Sequence, residues 1–365
     1  MSKIVVALNA YVLPDDHKIF KCSPGKTYRF YQEVKRTSTV FLDIRGLNDL
    51  HSDPREWSDK EVLEIIADDR WNRELQSRAR GNKEVGTEGV GRTDRTILGF
   101  LKALLGEAKK GDLIVVPVEG YNKDVLVGEL LDHPWDVKSI EAQDGDYTGL
   151  YVGRRVKWMA GIPKRFLSGD LITALHTQTA FFQLGVSLHE EIYRLAYKNF
   201  VYRNNYIAEF FTSKQHFTSE DSAVLSAWLN GFEYLRYRIS TGDVAGLPQS
   251  FVEMGLEKLP DNIAADLSIN INSPGAFVLK SSGAFAMSLM AMLALSGCDA
   301  QEVIDEGVEI ELKTVGTADS TCSIEVAKEV ENYAKTLSYK RLEKACELGL
   351  RAQEDAKVTA QARLK

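Results

Sequence analysis

Two groups of side chains in this sequence have the types and spacing that could do chemistry. The stretch "GRRVKWMAGIPKRFL", Gly153 to Leu167, holds Arg154, Arg155, Lys157, Lys164 and Arg165 and no carboxylate. Clustered cations can fix a phosphate backbone without reading its sequence, each contact releasing condensed counterions. The competing reading is a solvated basic strand and turn. If "RRVKWM" is a strand, Arg155 and Lys157 face one side while Val156 and Trp158 face the other. That alternation assigns Trp158 to a core, with stacking on a base as the alternative use of its ring.

The second group is "GVEIELKTVG", where Glu311 and Lys313 form an E-x-K on a predicted strand. A metal-dependent nuclease needs carboxylates to hold a divalent ion and a lysine to position the attacking water. The pattern resembles half of the PD-(D/E)-x-K nuclease signature. For the other half, Asp305 and Asp299 lie just upstream, and the Pro260–Asp261 pair lies far away. An amphipathic strand accounts for Glu309, Glu311 and Lys313 equally well, so the expectation leans away from an enzyme. No cofactor is indicated; Mg2+ enters only if the nuclease reading holds.

Other chemistry is excluded by spacing. "FKCSPGKTY" contains a G-K-T, but a phosphate-cradling loop needs a glycine where Phe20 stands, so the segment reads as a strand-to-turn connection. The histidines at 17, 51, 133, 176, 189 and 216 show neither H-E-x-x-H nor other ligand spacing. There is no G-x-S-x-G elbow. Cysteines 22, 298, 322 and 346 are singletons, which argues against a zinc knuckle or a disulfide framework and fits a reducing cytoplasm.

Elements that would position these residues follow from periodicity. "IVVALNAYVL" and "TVFLDIRGL" read as strands. Ser58 with Glu61 starts an amphipathic helix, the glycine-rich "RGNKEVGTEGVGR" reads as a loop, and Thr93 or Asp94 caps the next helix. "DLIVVPV", "DVLVGELL", "RRVKWM" and "TAFFQLG" are short strands suited to a small bent sheet or barrel, with Val115, Val127, Val156, Trp158 and Phe182 in its core. Apolar residues recurring at three and four predict helices from about His189 through Tyr237. Strands return over 250–316, and a helical tail starts near Ser323. The apolar run Gly283–Gly297 is too short for a spanning helix of about 20 residues; it reads as a buried helix, or as a Met- and Ala-rich interface for oligomerisation. The formal charge of −7 over 365 residues opposes coating of nucleic acid by a basic surface, so any polyanion site must be local.

In that order, "FLKALLGEAKKGDLIVVPV", "VLVGEL", "GRRVKWMAGIPKRFL" and "TAFFQLG" resemble the PUA-like, EVE-related module found beside Mrr-type restriction nucleases and in other prokaryotic defence proteins. The resemblance covers about residues 92–186, with a weaker echo at "TVFLDIRGLNDL". It reaches Gly111, Asp112, Gly128, Glu129, Arg155, Lys157, Trp158 and Ile162 to Arg165. It implies a helix leading into a small β-barrel whose relatives bind nucleic acid or a modified base. The sequence departs from the pattern between Glu129 and Tyr151, where Trp135, Tyr147 and Tyr151 could line a ligand pocket or cap the barrel.

The resulting class is α+β: a small PUA-like β-barrel with flanking helices, a helical middle segment and a second mixed α/β domain. The expected boundaries are 1–188, 189–245 and 246–365. Three functions compete. One is an antiviral or restriction-system recognition protein for nucleic acid or a nucleotide-like ligand, cytoplasmic, without membrane contact, homo-oligomeric and with a defence-system partner. The others are a nuclease with a divergent carboxy-terminal site, and a scaffold subunit of a homo-oligomer.

Overall fold

The computed structural model describes residues 3–79, 89–144, 147–242, 251–257, 260, 265–270, 275–296, 298, 300–315, 320–336 and 339–364. In chain order its strands are β1 (Ile4–Leu13), β2 (Ile19–Cys22), β3 (Thr39–Phe41), β4 (Leu113–Val116), β5 (Asp124–Leu130), β6 (Lys138–Asp144), β7 (Tyr147–Pro163) and β8 (Phe181–Gln183). There follow β9 (Phe200–Tyr202), β10 (Asn205–Thr212), β11 (Asp266–Asn270), β12 (Gly275–Ser282), β13 (Val308–Thr314), β14 (Val358–Ala360) and β15 (Ala362–Leu364). The chain is mixed α and β, with two mixed sheets.

It divides into two compact units, Asp16–Ala196 and a composite of Met1–Asp15 with Tyr197–Lys365. The expected boundaries after 188 and 245 are therefore corrected. The physical reason is β1, which pairs in parallel with β13 (Ile4 opposite Val308, Ala7 opposite Glu311) and so belongs with the carboxy-terminal residues. The predicted helical stretch from His189 is also interrupted. Helix His189–Tyr197 gives way to the β9–β10 hairpin, closed by Arg203 and Asn204 with Arg203 at φ 53°, before helix Ser219–Ser240.

In the 16–196 unit the strand order is β3-β7-β5-β4-β2-β8, with β6 also on β7. Strand β7 is 17 residues long; its first part pairs with β6 and β3 and its last part with β5. A bulge displaces the register between Val127 opposite Ala160 and Gly128 opposite Trp158, which adds local bend. Gly128 is required there, since a Cβ would lie 2.3 Å from Val156 and 2.7 Å from the Trp158 ring. The pairing path is open, with β3 and β8 at its ends, where a closed barrel was expected.

Val115 and Val127 are buried within continuously buried runs of β4 and β5, and Val156 by alternation in β7, but Trp158 and Phe182 are only half-buried, which corrects their assignment to the deep core. Truncating Trp158 therefore costs less than the loss of a fully buried indole. Helix Asp59–Ala79 opens with the expected reciprocal capping between Ser58 and Glu61. Helix Arg92–Lys102 is capped by Asp94 reaching back to the Gly91 N–H at 2.7 Å, and ends in a π turn, Ala103–Glu107. Of the glycine-rich loop, residues 80–88 lie outside the described residues.

In the composite unit the order is β11-β12-β10-β9-β1-β13, with β14 on β10 and β15 on β1. The predicted helix is Phe285–Leu295, and it is buried together with Trp228, Phe232, Phe210 and Phe277. It has no free face, so the alternative of an interface on this helix is withdrawn. The expected tail is two helices, Ser320–Thr336 and Tyr339–Glu354; β14 and β15 beyond them are an addition. No described helix is long and apolar enough to cross a membrane.

Candidate functional site

The five cations of the basic stretch do not form a patch. Arg154 shares the inward parity of Val156 and is fully buried. Its guanidinium donates to the carbonyl oxygens of Leu104 (3.0 Å), Ala108 and Asp132, which places a cation on the carbonyls that end the helix and its π turn. Burial pushes this guanidinium down to about 10. Lys164 is buried as well, correcting its reading as a surface phosphate contact.

Arg155 is exposed but engaged: its Nε and Nη2 donate to Asp132 Oδ1 at 2.8 and 2.5 Å, and its backbone N–H donates to Oδ2 at 2.8 Å. Burial raises the Asp132 carboxyl's pKa, but donation by Arg155 outweighs this and the net shift is downward. Lys157 is exposed opposite Glu129, and Arg165 donates to Asn122 Oδ1 at 2.7 Å while lying over the Phe166 ring.

The aromatics proposed for a pocket are likewise separated in role. Tyr151 is fully buried, its ring 5.0 Å from those of Phe30 and Phe41. Trp135, at φ 70°, covers Gly106 so closely that a Cβ there would lie 2.2 Å from the indole. The Tyr147 side chain lies outside the described residues.

In the composite unit Glu311 and Lys313 project from the exposed side of β13, and Lys313 Nζ donates to Asn9 Oδ1 at 2.5 Å beside the Tyr11 ring. Asp305 accepts from Gln301 at 2.9 Å. Asp299 and Asp261 lie outside the described residues. Among the described residues no three His, Cys, Asp or Glu side chains gather into a metal-holding group.

A different place in the 16–196 unit has the form of a site. A cavity of about 600 Å³ is lined by four segments distant in sequence, Ser23–Tyr28, Leu42–Ile44, the helix residues Ile97 and Phe100, and residues 176–180. Leu42, Ile44, Ile97, Phe100 and Ala180 give it apolar surface and Tyr28 an aromatic ring, while Ser23, Thr27, Asp43, His176 and Gln178 bring polar groups. This volume and this mixture, apolar walls with a few convergent polar groups, are those of a small-molecule pocket.

Its Ser23–Tyr28 wall is conformationally costly. Gly25 has φ 76°, and Thr27 and Tyr28 follow at φ 54° and 58°, two consecutive left-handed residues with side chains. Each such residue costs on the order of 1–3 kcal/mol and persists only where the surroundings enforce it. Here Tyr28 N–H donates to Gly25 O at 3.2 Å and Phe30 N–H to Pro24 O at 3.0 Å. Asp43 is fixed by Arg29 Nη2 at 2.5 Å and Arg73 Nη1 at 2.7 Å.

The adjoining part of the lining, residues 176–180 after helix Gly169–Leu175, is joined to the first by Ser23 N–H donating to Ala180 O at 2.7 Å and rests on two buried lysines. Lys21 Nζ donates to Thr177 O and Thr179 O, both at 2.7 Å, and burial lowers its pKa to about 8. Lys164 Nζ donates to Val118 O and sits 3.2 Å from His176 Nε2, with the Tyr28 ring 5.8 Å away. Burial lowers its pKa also. With an ammonium donor on Nε2, the imidazole carries its proton on Nδ1 and offers a donor there.

Sequence reasoning missed this site. The signal present was G-K-T at Gly25–Thr27, set aside because it lacks the earlier glycine of a phosphate loop. Compared with known proteins, the chain matches no family model, no curated sequence and no solved structure.

Proposed function

We propose that the 16–196 unit is a recognition module that binds a planar, nucleobase-like ligand, free or within nucleic acid, in the cavity lined by Ser23–Tyr28 and residues 176–180. The observation that carries this reading is the cavity itself: apolar walls, the Tyr28 and Phe100 rings, and hydrogen-bonding groups at the edge. A base pocket needs flat apolar walls with edge-on polar partners. The strained Ser23–Tyr28 wall supports it, because strain of this kind clusters at ligand clamps.

The bent sheet that carries the cavity is read as a divergent PUA-like half-barrel. The resemblance of residues 92–186 supplies the setting, a prokaryotic antiviral or restriction system. The binding residues differ from those expected from the basic stretch: Tyr28, Phe100, His176 and Gln178 replace Arg154 and Lys164.

Ligand retained by the purified protein, identified after denaturation, together with calorimetric titration of a nucleoside panel, tests the reading. Phe100→Ala is expected to weaken the best nucleoside by roughly 5- to 150-fold, the worth of one stacked base at about 1–3 kcal/mol. Absence of both retained ligand and nucleoside binding would reject it.

A further inference from the structure

The part of the cavity formed by residues 176–180 is built on two ammonium groups with no carboxylate partner among the described residues. Lys21 and Lys164 are 0% and 2% exposed. Their ammonium partners are the carbonyls of Thr177, Thr179 and Val118 and the ring nitrogen of His176, and among the described residues neither has a carboxylate partner. These neutral acceptors take two hydrogen bonds from each ammonium and leave both positive charges beneath one short loop. A buried ammonium without a counter-ion is unfavourable, and an anion brought by a ligand offsets it.

The other charges around the cavity do not provide that anion. Asp43, the carboxylate in the lining, is already held between Arg29 and Arg73. Lys26 adds an exposed cation to the lining. Glu119 acts on Lys164 only from an exposed turn, where solvent screens it. Lys164, by occupying His176 Nε2, also turns the imidazole into a fixed N–H donor within the lining, suited to an acceptor oxygen.

We infer that the ligand carries a phosphate ester, and that this group seats against His176 and Gln178 while the planar ring lies toward Tyr28. Lys164 is a positioning residue: it fixes the proton of His176 and supplies attraction from beneath the loop. The inference rests on the base-binding reading of the same cavity and adds the charge of the ligand.

Calorimetric titration of adenosine, guanosine, cytidine and uridine against their 5′-monophosphates separates the two ideas. For the nucleoside that binds, the monophosphate is expected to bind roughly tenfold tighter or more, with the advantage shrinking as salt is added. In Lys164→Met the advantage falls to about threefold or less while nucleoside affinity is retained. His176 is exposed, so His176→Leu provides a second variant that leaves the interior intact; it is expected to lose the advantage as well.

Equal binding of a nucleoside and its monophosphate by the wild-type protein overturns the phosphate site and leaves the base pocket standing. A full phosphate advantage in both variants overturns the roles of Lys164 and His176. Failure of every nucleoside and every monophosphate to bind removes the base pocket and this inference with it. A trinucleotide with a 5′-phosphate distinguishes the source of the phosphate: binding equal to the monophosphate indicates a strand end, and binding of the monophosphate alone indicates a free nucleotide.

Discussion

The two units bury very different material. Of the ten His, Lys, Arg, Asp and Glu side chains that are buried among the described residues, eight lie in the 16–196 unit: His17, Lys21, Asp94, Asp112, Asp132, Arg154, Lys164 and His189. The composite unit buries two, Asp221 and Glu233, around a core that includes helix Phe285–Leu295 and the rings of Phe210, Trp228, Phe232 and Phe277. Buried ionisable groups are costly unless each is satisfied, so they appear where a particular geometry must be held. In the 16–196 unit they hold the π-turn carbonyls, residues 176–180 of the cavity lining, and the chain entering β2 and β4, where Asp112 accepts from the Lys18 and Lys109 N–H groups. The composite unit uses burial of apolar surface for the same purpose, and the E-x-K lies on its exposed face.

Three measurements would break or sharpen this contrast. The largest effect is expected from Arg154→Ala, which strands the carbonyls of Leu104, Ala108 and Asp132 in the interior. A loss on the order of 3–5 kcal/mol, typical of removing one partner of a buried charged interaction, should appear in the denaturation midpoint. Hydrogen exchange should place it in the 16–196 unit. Arg155→Ala, one residue along, removes a half-exposed guanidinium from the buried Asp132 carboxylate, which keeps the Arg155 backbone N–H as a donor, so a smaller loss than for Arg154→Ala is expected.

In the composite unit Leu289→Ala removes a fully buried side chain and should cost about 2–5 kcal/mol by transfer and cavity terms. Because no titrating group is involved, the cost should be the same at pH 7 and pH 5. A marked difference would show that ionisable groups support this core too.

The smallest effect is acid sensitivity. Burial lowers the His17 pKa from 6.5 to about 4, and its Nε2 and Nδ1 face Gly111 O and the Tyr193 hydroxyl, each at 3.0 Å. His189 adds repulsion, and Asp16 opposes the shift. The unfolded chain takes up this proton below pH 6.5 and the folded chain only near 4, so stability is complete above 6.5 and falls toward 4. The fall is at most about 3 kcal/mol. Buried Asp112 and half-buried Glu129 have pKa values raised by desolvation and push the other way, so the quantity to measure is the difference between wild type and His17→Gln. Identical pH profiles would show that His17 is not the group protonated.

Strand positions were legible because each depends on local patterning: alternation located β7 and placed Val156 inside. The same alternation puts Arg154 in phase with Val156, so its burial is legible in the sequence despite its charge. Burial of Lys164 was not readable, since nothing in "GIPKRFL" discloses that Val118 O and His176 wait at the end of the side chain. The cavity joins segments near residues 25, 43, 98 and 178, a convergence that exists only after folding. At Phe200–Thr212, aromatic and branched residues spaced at three and four imitated a helix. The Arg203–Asn204 turn and pairing with β12 decided for strands. Membership of β1 was hidden for the same reason, as its partners lie at the far end of the chain.

That pairing of β1 gives the order of synthesis a physical meaning. Lys313 reaches Asn9 across 304 positions, and β15 joins β1 from later still. During translation at ~5–20 residues per second, the segment 16–196 emerges and can fold while "IVVALNAYVL" has none of its strand partners. Tens of seconds, roughly, separate its appearance from that of β13 and β15. An apolar strand with open edges over that interval invites pairing with other nascent chains. Ribosome pace between residues 197 and 364 should therefore govern the yield of folded protein more than pace over the first 196.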